Sequence, residues 1–307
     1  MRLSLVIPAK DKNDPKLAEL LRSIDAQDFS KDELEVLVIT EGTSESAKAI
    51  GIRRAKGEVI GILASDNELT DNSFLTYTYQ AMHTYKVHCA YPAYYSYKKE
   101  DNFLNRYFSL IGGNDVLCAY MEKNDRRPIF KENQHLISII GFQYAIPSLG
   151  DNGFFVWREL LMKADLDNYL HIDICEDLRH ECHPLIALVM YSQDIWHKTG
   201  GNIFKFYAKR YRYGLEHAFN PNRRWHLVDF SKPQDLRRLL WFILATLTLL
   251  EPLSISFRGY HKIKDIAWFI HPIACIFTLV TYTFLVIHIA LRKLCPSLSV
   301  RMAVQRA

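Results

Sequence analysis

The sequence predicts an α/β fold, a mostly parallel, doubly wound sheet followed by hydrophobic helices at the carboxyl end. Three observations predict it. Short apolar runs alternate with amphipathic stretches over residues 3–85, the connections between them are short, and the apolar surplus lies beyond residue 238.

Leu3 to Ile7 reads as a buried strand stopped by Pro8. Asp14-Pro15 then opens a helix whose Leu17, Leu20, Leu21 and Ile24 recur at helical spacing. Leu34 to Ile39 gives a second strand, Ser44 to Ala55 a second helix and Val59 to Leu63 a third strand. In such a sheet the ligand crevice lies beyond the carboxyl ends of the strands. Residues 72–85 read as helix. Residues 86–145, dense in Tyr, Asn and Gly, have mixed periodicity and support no assignment. Strand-and-helix patterning returns over 151–190, and 203–219 form an aromatic, basic, helical run.

A chain of 307 residues allows one large domain and a small appendage, and the composition shift after Pro233 places the expected division between 1–231 and 232–307. The net charge of +4, with no polycationic tail, argues against a nucleic-acid partner and leaves a membrane surface as the expected one. Six cysteines without a CxxC pair read as reduced thiols. With an N-terminal apolar run too short for a signal peptide, they put the N-terminal domain on the cytoplasmic side of a membrane. Ile266 to Leu291 offers 26 residues, about 39 Å of helix against a hydrocarbon core of roughly 30 Å, and is expected to span. Leu239 to Leu250, broken by Glu251-Pro252, is expected to lie in the interface, re-enter, or cross with a kink at Pro252.

Polar and acidic groups sit at the strand ends. The first strand ends in Pro8-Ala9-Lys10-Asp11, the second in Thr40-Glu41-Gly42-Thr43, and the third, after the lead Ala55-Lys56-Gly57-Glu58, delivers Ala64-Ser65-Asp66-Asn67-Glu68. This order resembles the nucleotide-sugar domain of inverting family 2 glycosyltransferases, the GT-A fold, closely over residues 3–75 and more loosely over 151–215. The resemblance implies that Pro8, Ala9, Asp11 and Glu41 hold the nucleotide. It implies that Asp66, the last residue of a DxD-like turn, holds a Mg²⁺ or Mn²⁺ that neutralises the diphosphate leaving group. Ala64 stands where the family has its first Asp, with Asn67 or Glu68 as possible substitutes. The residues alone also allow Asp66 to be a solvated turn, Asp11 loop chemistry and Glu45 a helix start.

Downstream, Ile174-Cys175-Glu176-Asp177-Leu178 resembles the family's Glu-Asp motif, which implies that Asp177 is the general base on an acceptor hydroxyl. A pair of acids opening a helix is the alternative. Gly150-Asp151-Asn152-Gly153 through Arg158 resembles the segment lining the sugar pocket. Asp151 and Asn152 would bind hydroxyls there and Trp157 would face a pyranose ring, unless Trp157 is a core residue. His197 matches a metal or diphosphate ligand or is structural. Lys205 to Gly214 resembles the Arg-rich segment closing over the diphosphate, with Arg210 or Arg212 as the phosphate contact, and reads equally as an interfacial helix. In 111–127, Asn114, Asp115 and Lys123 are acceptor candidates or plain loop residues.

The function so implied is transfer of a sugar from a nucleotide-diphosphate donor to a hydroxyl of a lipid-linked saccharide or membrane glycan. Transfer to polyprenyl phosphate and a non-catalytic nucleotide-sugar-binding membrane protein are the alternatives. A nucleotidyltransferase is disfavoured, because no Gly-rich, Lys-containing loop follows the first strand.

Overall fold

The computed structural model describes residues 1–129, 136–143 and 146–294. The first half runs β1 (Leu3–Pro8), α1 (Pro15–Asp25), β2 (Leu34–Ile39), α2 (Ser44–Arg54), β3 (Val59–Ile62), β4 (Asn67–Leu69) and α3 (Phe74–Tyr85). The middle runs β5 (Cys89–Tyr95), α4 (Phe103–Ile111), α5 (Val116–Tyr120), β6 (Ile137–Phe142), β7 (Phe154–Trp157), α6 (Arg158–Leu161), α7 (Ile174–Glu181) and β8 (Leu185–His197). Four long helices close the chain: α8 (Ile203–Ala218), α9 (Pro233–Thr248), α10 (Leu250–Lys262) and α11 (Ile270–Leu294).

Every residue of β1 is buried, as a continuous apolar run requires of a central parallel strand. Asp14 caps α1 by accepting from the Lys16 amide, and Pro15 takes the first helical position, where its missing N–H costs nothing. The sheet order is β2-β1-β3-β7-β5-β8-β4, with β6 also paired to β8. β2, β1 and β3 pair in parallel, as do β5 and β8, while β7, β4 and β6 run antiparallel to their neighbours. The sheet is therefore mixed and mostly parallel. One face is covered by α1 and α3 through Leu17, Leu20, Phe74 and Met82. The other is covered by α2, α6 and α7 through Ile52, Leu161, Ile174 and Leu178.

The segment that resisted assignment supplies strand β5 at the sheet's centre and two helices beneath the C-terminal layer. Tyr107, Phe108 and Leu110 of α4 and Val116 and Leu117 of α5 share a core with Phe242, Trp268, Ala274 and Cys275. That core crosses residue 231, so the C-terminal helices pack as a layer against the sheet domain. Removing them would uncover these aromatic and aliphatic side chains.

The break in the first hydrophobic run lies earlier than Glu251-Pro252. α9 and α10 meet at 81° around Leu249, whose φ is +58. Pro252 falls in the first turn of α10, where no intrahelical donor is needed, and the Glu251 carboxylate accepts a hydrogen bond from Tyr120. Ile266–Leu294, a 3-10 turn leading into α11, is long and apolar enough to cross a membrane.

Candidate active site at the carboxyl ends of the strands

Beyond β3 the chain turns through Ala64, Ser65 and Asp66 into β4. Buried Asn67 holds this turn, its Oδ1 accepting from the Ala64 amide at 2.8 Å and its Nδ2 donating to Asn152 Oδ1 at 3.0 Å. The antiparallel register of β4 on β8 sets Asn67 opposite His197. It brings the Asp66 carboxylate 3.5 Å from His197 Nε2, and the Lys198 amide donates to the Asp66 carbonyl at 2.9 Å. Burial acts to raise the Asp66 pKa, but the charge and hydrogen bond of His197, with Lys16 and Lys209 behind it, outweigh burial and hold it at about 2. His197 moves the opposite way. Burial would lower it, yet the charges of Asp66, Asp151 and Asp125 lift it above its usual value.

The loop before β7 supplies the second wall. Asn152 (φ +55) and Gly153 (φ +86) are both left-handed, and the Gly153 amide closes the loop on the Ile62 carbonyl at 2.8 Å. Asp151 Oδ2 lies 2.7 Å from the buried Lys48 ammonium, which is also 3.6 Å from Glu45. Glu45 binds His171 at 2.7 Å. Burial opposes ionisation of Glu45, but His171 and Lys48 prevail and hold its carboxyl well below the usual range. Burial likewise disfavours the Lys48 charge, and Asp151 and Glu45 prevail in raising its pKa.

Three groups from the unassigned segment complete this wall. Asn152 Nδ2 donates to the Tyr95 hydroxyl at 3.1 Å, and that hydroxyl donates to Asp125 at 2.5 Å. Arg126, almost wholly buried, donates to the Asn152 carbonyl and lies 5.1 Å over the Tyr95 ring. A charged pair next to Gly-punctuated sequence is their only local signal, and no periodicity accompanies it.

Asp66, His197, Asp151 and Asn152 thus come together. Pro8 and Ala9 are buried at the end of β1, with the Ala9 amide bonded to the Ile39 carbonyl at 2.9 Å. Asp11 is exposed and accepts from the Asn13 amide, and Glu41 is exposed and pairs with Arg54 at 3.1 Å. Glu68 is joined to Lys198 and Lys98, so Asn67 is the residue that supports the Ala64 turn.

Trp157 is separated from this group. β7 runs antiparallel to β3, so Trp157 pairs with Val59 at the strand's amino end while Phe154 pairs with Ile62 beside the crevice. Its indole donates to the Val87 carbonyl at 2.6 Å and meets His83 edge-on at 4.9 Å, a packing role at the far end of the strand rather than a sugar platform.

Arg210 points into the helical layer, donating to the Asn114 carbonyl at 3.1 Å with Asp115 at 3.7 Å, while Arg212 is exposed. Lys209 is the α8 cation whose charge reaches Asp66. At the other end of α8, His217 is lowered to about 4, first by burial and then by His171 and Arg223. α8 therefore runs from the Asp66 side of the crevice to the Glu45–His171 side. Asp115 and Lys123 are joints to the layer: Asp115 accepts from Tyr282, and Lys123 pairs with Asp235 at 2.7 Å.

Asp177, in the first turn of α7, is engaged by Arg224 through both carboxylate oxygens, Nη2 donating at 2.9 Å and Nε closer still. Burial raises the Asp177 pKa, and Arg224 only partly offsets it. The buried Tyr169 hydroxyl feels the charges of both Asp151 and Asp177. Burial raises its pKa first, then the charges of Glu45, Asp151 and Asp177. Arg224, in the loop before α9, carries no motif that sequence reading could have used.

Asp66 and His197 supply a carboxylate oxygen and an imidazole nitrogen, and among the described residues no cluster of three or more possible metal ligands forms. Two protein ligands suit a Mg²⁺ or Mn²⁺ that takes its remaining oxygens from a diphosphate and water.

No protein-family model matches the sequence, and a comparison with curated proteins gives no match. Among solved structures the chain is similar to the crystal structure of S. aureus TarS 1-349, with 14% identity, a TM-score of 0.48 and coverage of 93% of this chain and 90% of that one. It is also similar to the mannosyltransferase PcManGT from Pyrobaculum calidifontis in complex with GDP-Man and Mn²⁺, with 13% identity, a TM-score of 0.47 and coverage of 91% and 86%. Against another TarS crystal structure the match covers 73% of this chain and 41% of that chain.

Proposed function

We propose that the chain is a metal-assisted, inverting glycosyltransferase of the family 2 type. It would move a sugar from a nucleotide-diphosphate donor to a hydroxyl of a lipid-linked saccharide or membrane glycan at the cytoplasmic face of a membrane. The observation that carries this reading is the Asp66–His197 pair, brought together at the carboxyl ends of the strands by the β4–β8 register.

A bound Mg²⁺ or Mn²⁺ would neutralise charge on the departing diphosphate. Asp66 and His197 would hold it. Lys209 and Lys16, whose charges reach Asp66, would face the phosphates. Asp151, oriented by Lys48, and Asn152, oriented by Asn67 and Tyr95, would bind sugar hydroxyls. Pro8, Ala9, Asp11 and Glu41 would flank the nucleotide. Asp177 would take the proton from the acceptor hydroxyl, which requires Arg224 to swing away or to share the carboxylate.

One observation favours a second reading. Arg224 occupies both oxygens of the Asp177 carboxylate, leaving neither free to take a proton until it moves, and polyprenyl phosphate is an acceptor that needs no base. Incubating the full chain with UDP-, GDP- and CDP-sugars, with Mn²⁺, Mg²⁺ or chelator, tests the common core of both. Metal-dependent release of nucleotide from at least one donor is expected. Release undiminished by chelator, or thermal stabilisation by none of the donors, overturns the assignment.

A further inference from the structure

Ile266–Leu294 is long and apolar enough to cross a membrane, but its surroundings do not fit a crossing helix. α8 lies alongside it over most of its length. Tyr207 donates to the Ala274 carbonyl at 3.0 Å, Tyr211 meets His288 at 2.6 Å, and Phe219 stacks under Arg292. At Gly214 a Cβ would come within 2.5 Å of the Leu285 side chain, so Leu285 packs directly on the Gly214 backbone. α8 exposes Lys205, Lys209, Arg212 and Glu216. A crossing α11 would carry these charges into hydrocarbon, where they are strongly disfavoured.

α11 leaves a main apolar stripe uncovered, Ile273, Ile276, Val280, Phe284, Ile287 and Leu291, at spacings of three or four residues, and toward its carboxyl end it also exposes Val286 and Leu294. α9 exposes Leu240, Trp241, Leu244 and Leu247, and α10 exposes Leu253 and Phe257. α9 and α10 meet at 81° around Leu249, and both pack against α11.

Charge is sorted across the same layer. Residues 203–294 hold 14 lysines and arginines and 5 acidic residues. Asp235 pairs inward with Lys123 at 2.7 Å, Asp265 with Arg106 at 2.8 Å, and Glu251 accepts from Tyr120. Arg237, Arg258, Lys264 and Lys293 stay exposed.

We propose that α8 to α11 form a docking layer that seats on an anionic phospholipid surface, with α11 lying in the plane of the bilayer instead of crossing it. The apolar stripe enters the headgroup and acyl boundary and the exposed basic residues meet the lipid phosphates. The inference rests on the packing of the layer and not on the assigned chemistry.

Two measurements on the full chain test it. The first is sedimentation with phosphatidylcholine vesicles containing about 30% phosphatidylglycerol, or none. Binding is expected to the anionic vesicles, to weaken in 1 M salt, and to fall by about five-fold or more with Arg237→Glu and again with Arg258→Glu, at roughly that factor per basic residue lost from a lipid surface. The second is labelling of Ile266→Cys and Lys293→Cys, read by peptide mapping, with an impermeant maleimide in sealed inside-out membrane vesicles from expressing cells. Both positions should react without detergent. Reaction of one position only, with the other released by detergent, establishes a crossing helix and overturns the proposal. So does a lipid-indifferent soluble dimer whose contacts cover Phe284 and Trp241. Either result leaves the donor screen standing.

Discussion

Residues 1–202 carry 29 acidic residues against 22 lysines and arginines, whereas residues 203–294 carry 5 against 14. The two regions use the same device, buried ion pairs, with opposite polarity. In the sheet domain, Lys48 lies beneath Asp151 and Glu45, so carboxylates line the crevice and cations support them from within. In the helical layer, Asp235, Asp265 and Glu251 turn inward while Arg237, Arg258, Lys264 and Lys293 face out. The proposed cation-binding crevice and the proposed lipid-facing layer would thus be joined through α8, whose Lys209 carries charge that reaches Asp66.

Removing the crevice's acid should have the largest effect. Asp66→Asn keeps the shape of the turn but loses the carboxylate, and we expect at least about a 10³-fold loss of metal-dependent donor turnover, since the charge neutralised is worth several kcal/mol. Isothermal titration of Mn²⁺ with the nucleotide diphosphate should show the loss directly. Unchanged affinity would move the metal away from Asp66. Next comes Asp177→Asn, which should leave donor affinity intact and lower transfer by roughly 10²–10⁴-fold, measured as product per bound donor. Full transfer by this variant favours the phosphate acceptor.

Lys48→Met tests the polarity argument through stability. It leaves Asp151 and Glu45 without their buried cation, and the loss is about 3–5 kcal/mol, read as a lower urea midpoint at pH 7. The Glu45 carboxyl, held low when folded, contributes stability above its ordinary pKa and loses it as the pH falls. The gap between variant and parent should therefore narrow toward pH 3. A constant gap would mean that Lys48 acts by packing alone.

The first half of the fold was legible because its strands are parallel neighbours built from local apolar runs, so β1, β2, β3 and the helices between them follow from periodicity. The second half was not. Cys89 of β5 pairs with Ala187 of β8, nearly a hundred residues away, and no local pattern announces such a partner. Asp66 and His197 could be named separately, but their meeting depends on that same distant strand. Trp157 parts from the crevice for a related reason: the antiparallel course of β7 carries it to the far end of the strand, opposite Val59. Charged helix faces misled differently. Arg210 and Arg212 stand out beside Lys209, and only packing distinguishes the residue bonded to Asn114 from the one whose charge reaches Asp66.

The smallest effect concerns Arg224, which stands between the sheet domain and the helical layer. Asp177 is raised above the ordinary carboxyl range first by burial, and Arg224 is the strongest influence pulling it back. A general base works only when deprotonated, so the acidic limb of kcat/KM should lie above the pKa of an ordinary aspartate. Arg224→Gln removes the opposing cation and leaves burial in place. The limb should then shift to higher pH, because protonation of Asp177 loses its main competitor. The carboxylate is also freed from bidentate contact, so activity on the alkaline plateau should be retained. A structural role alone would lower activity at every pH without moving the limb. If the limb stays where it is in both Arg224→Gln and the parent, Asp177 is not the group that titrates. The arginine then serves to hold α7 against the loop that leads into the helical layer.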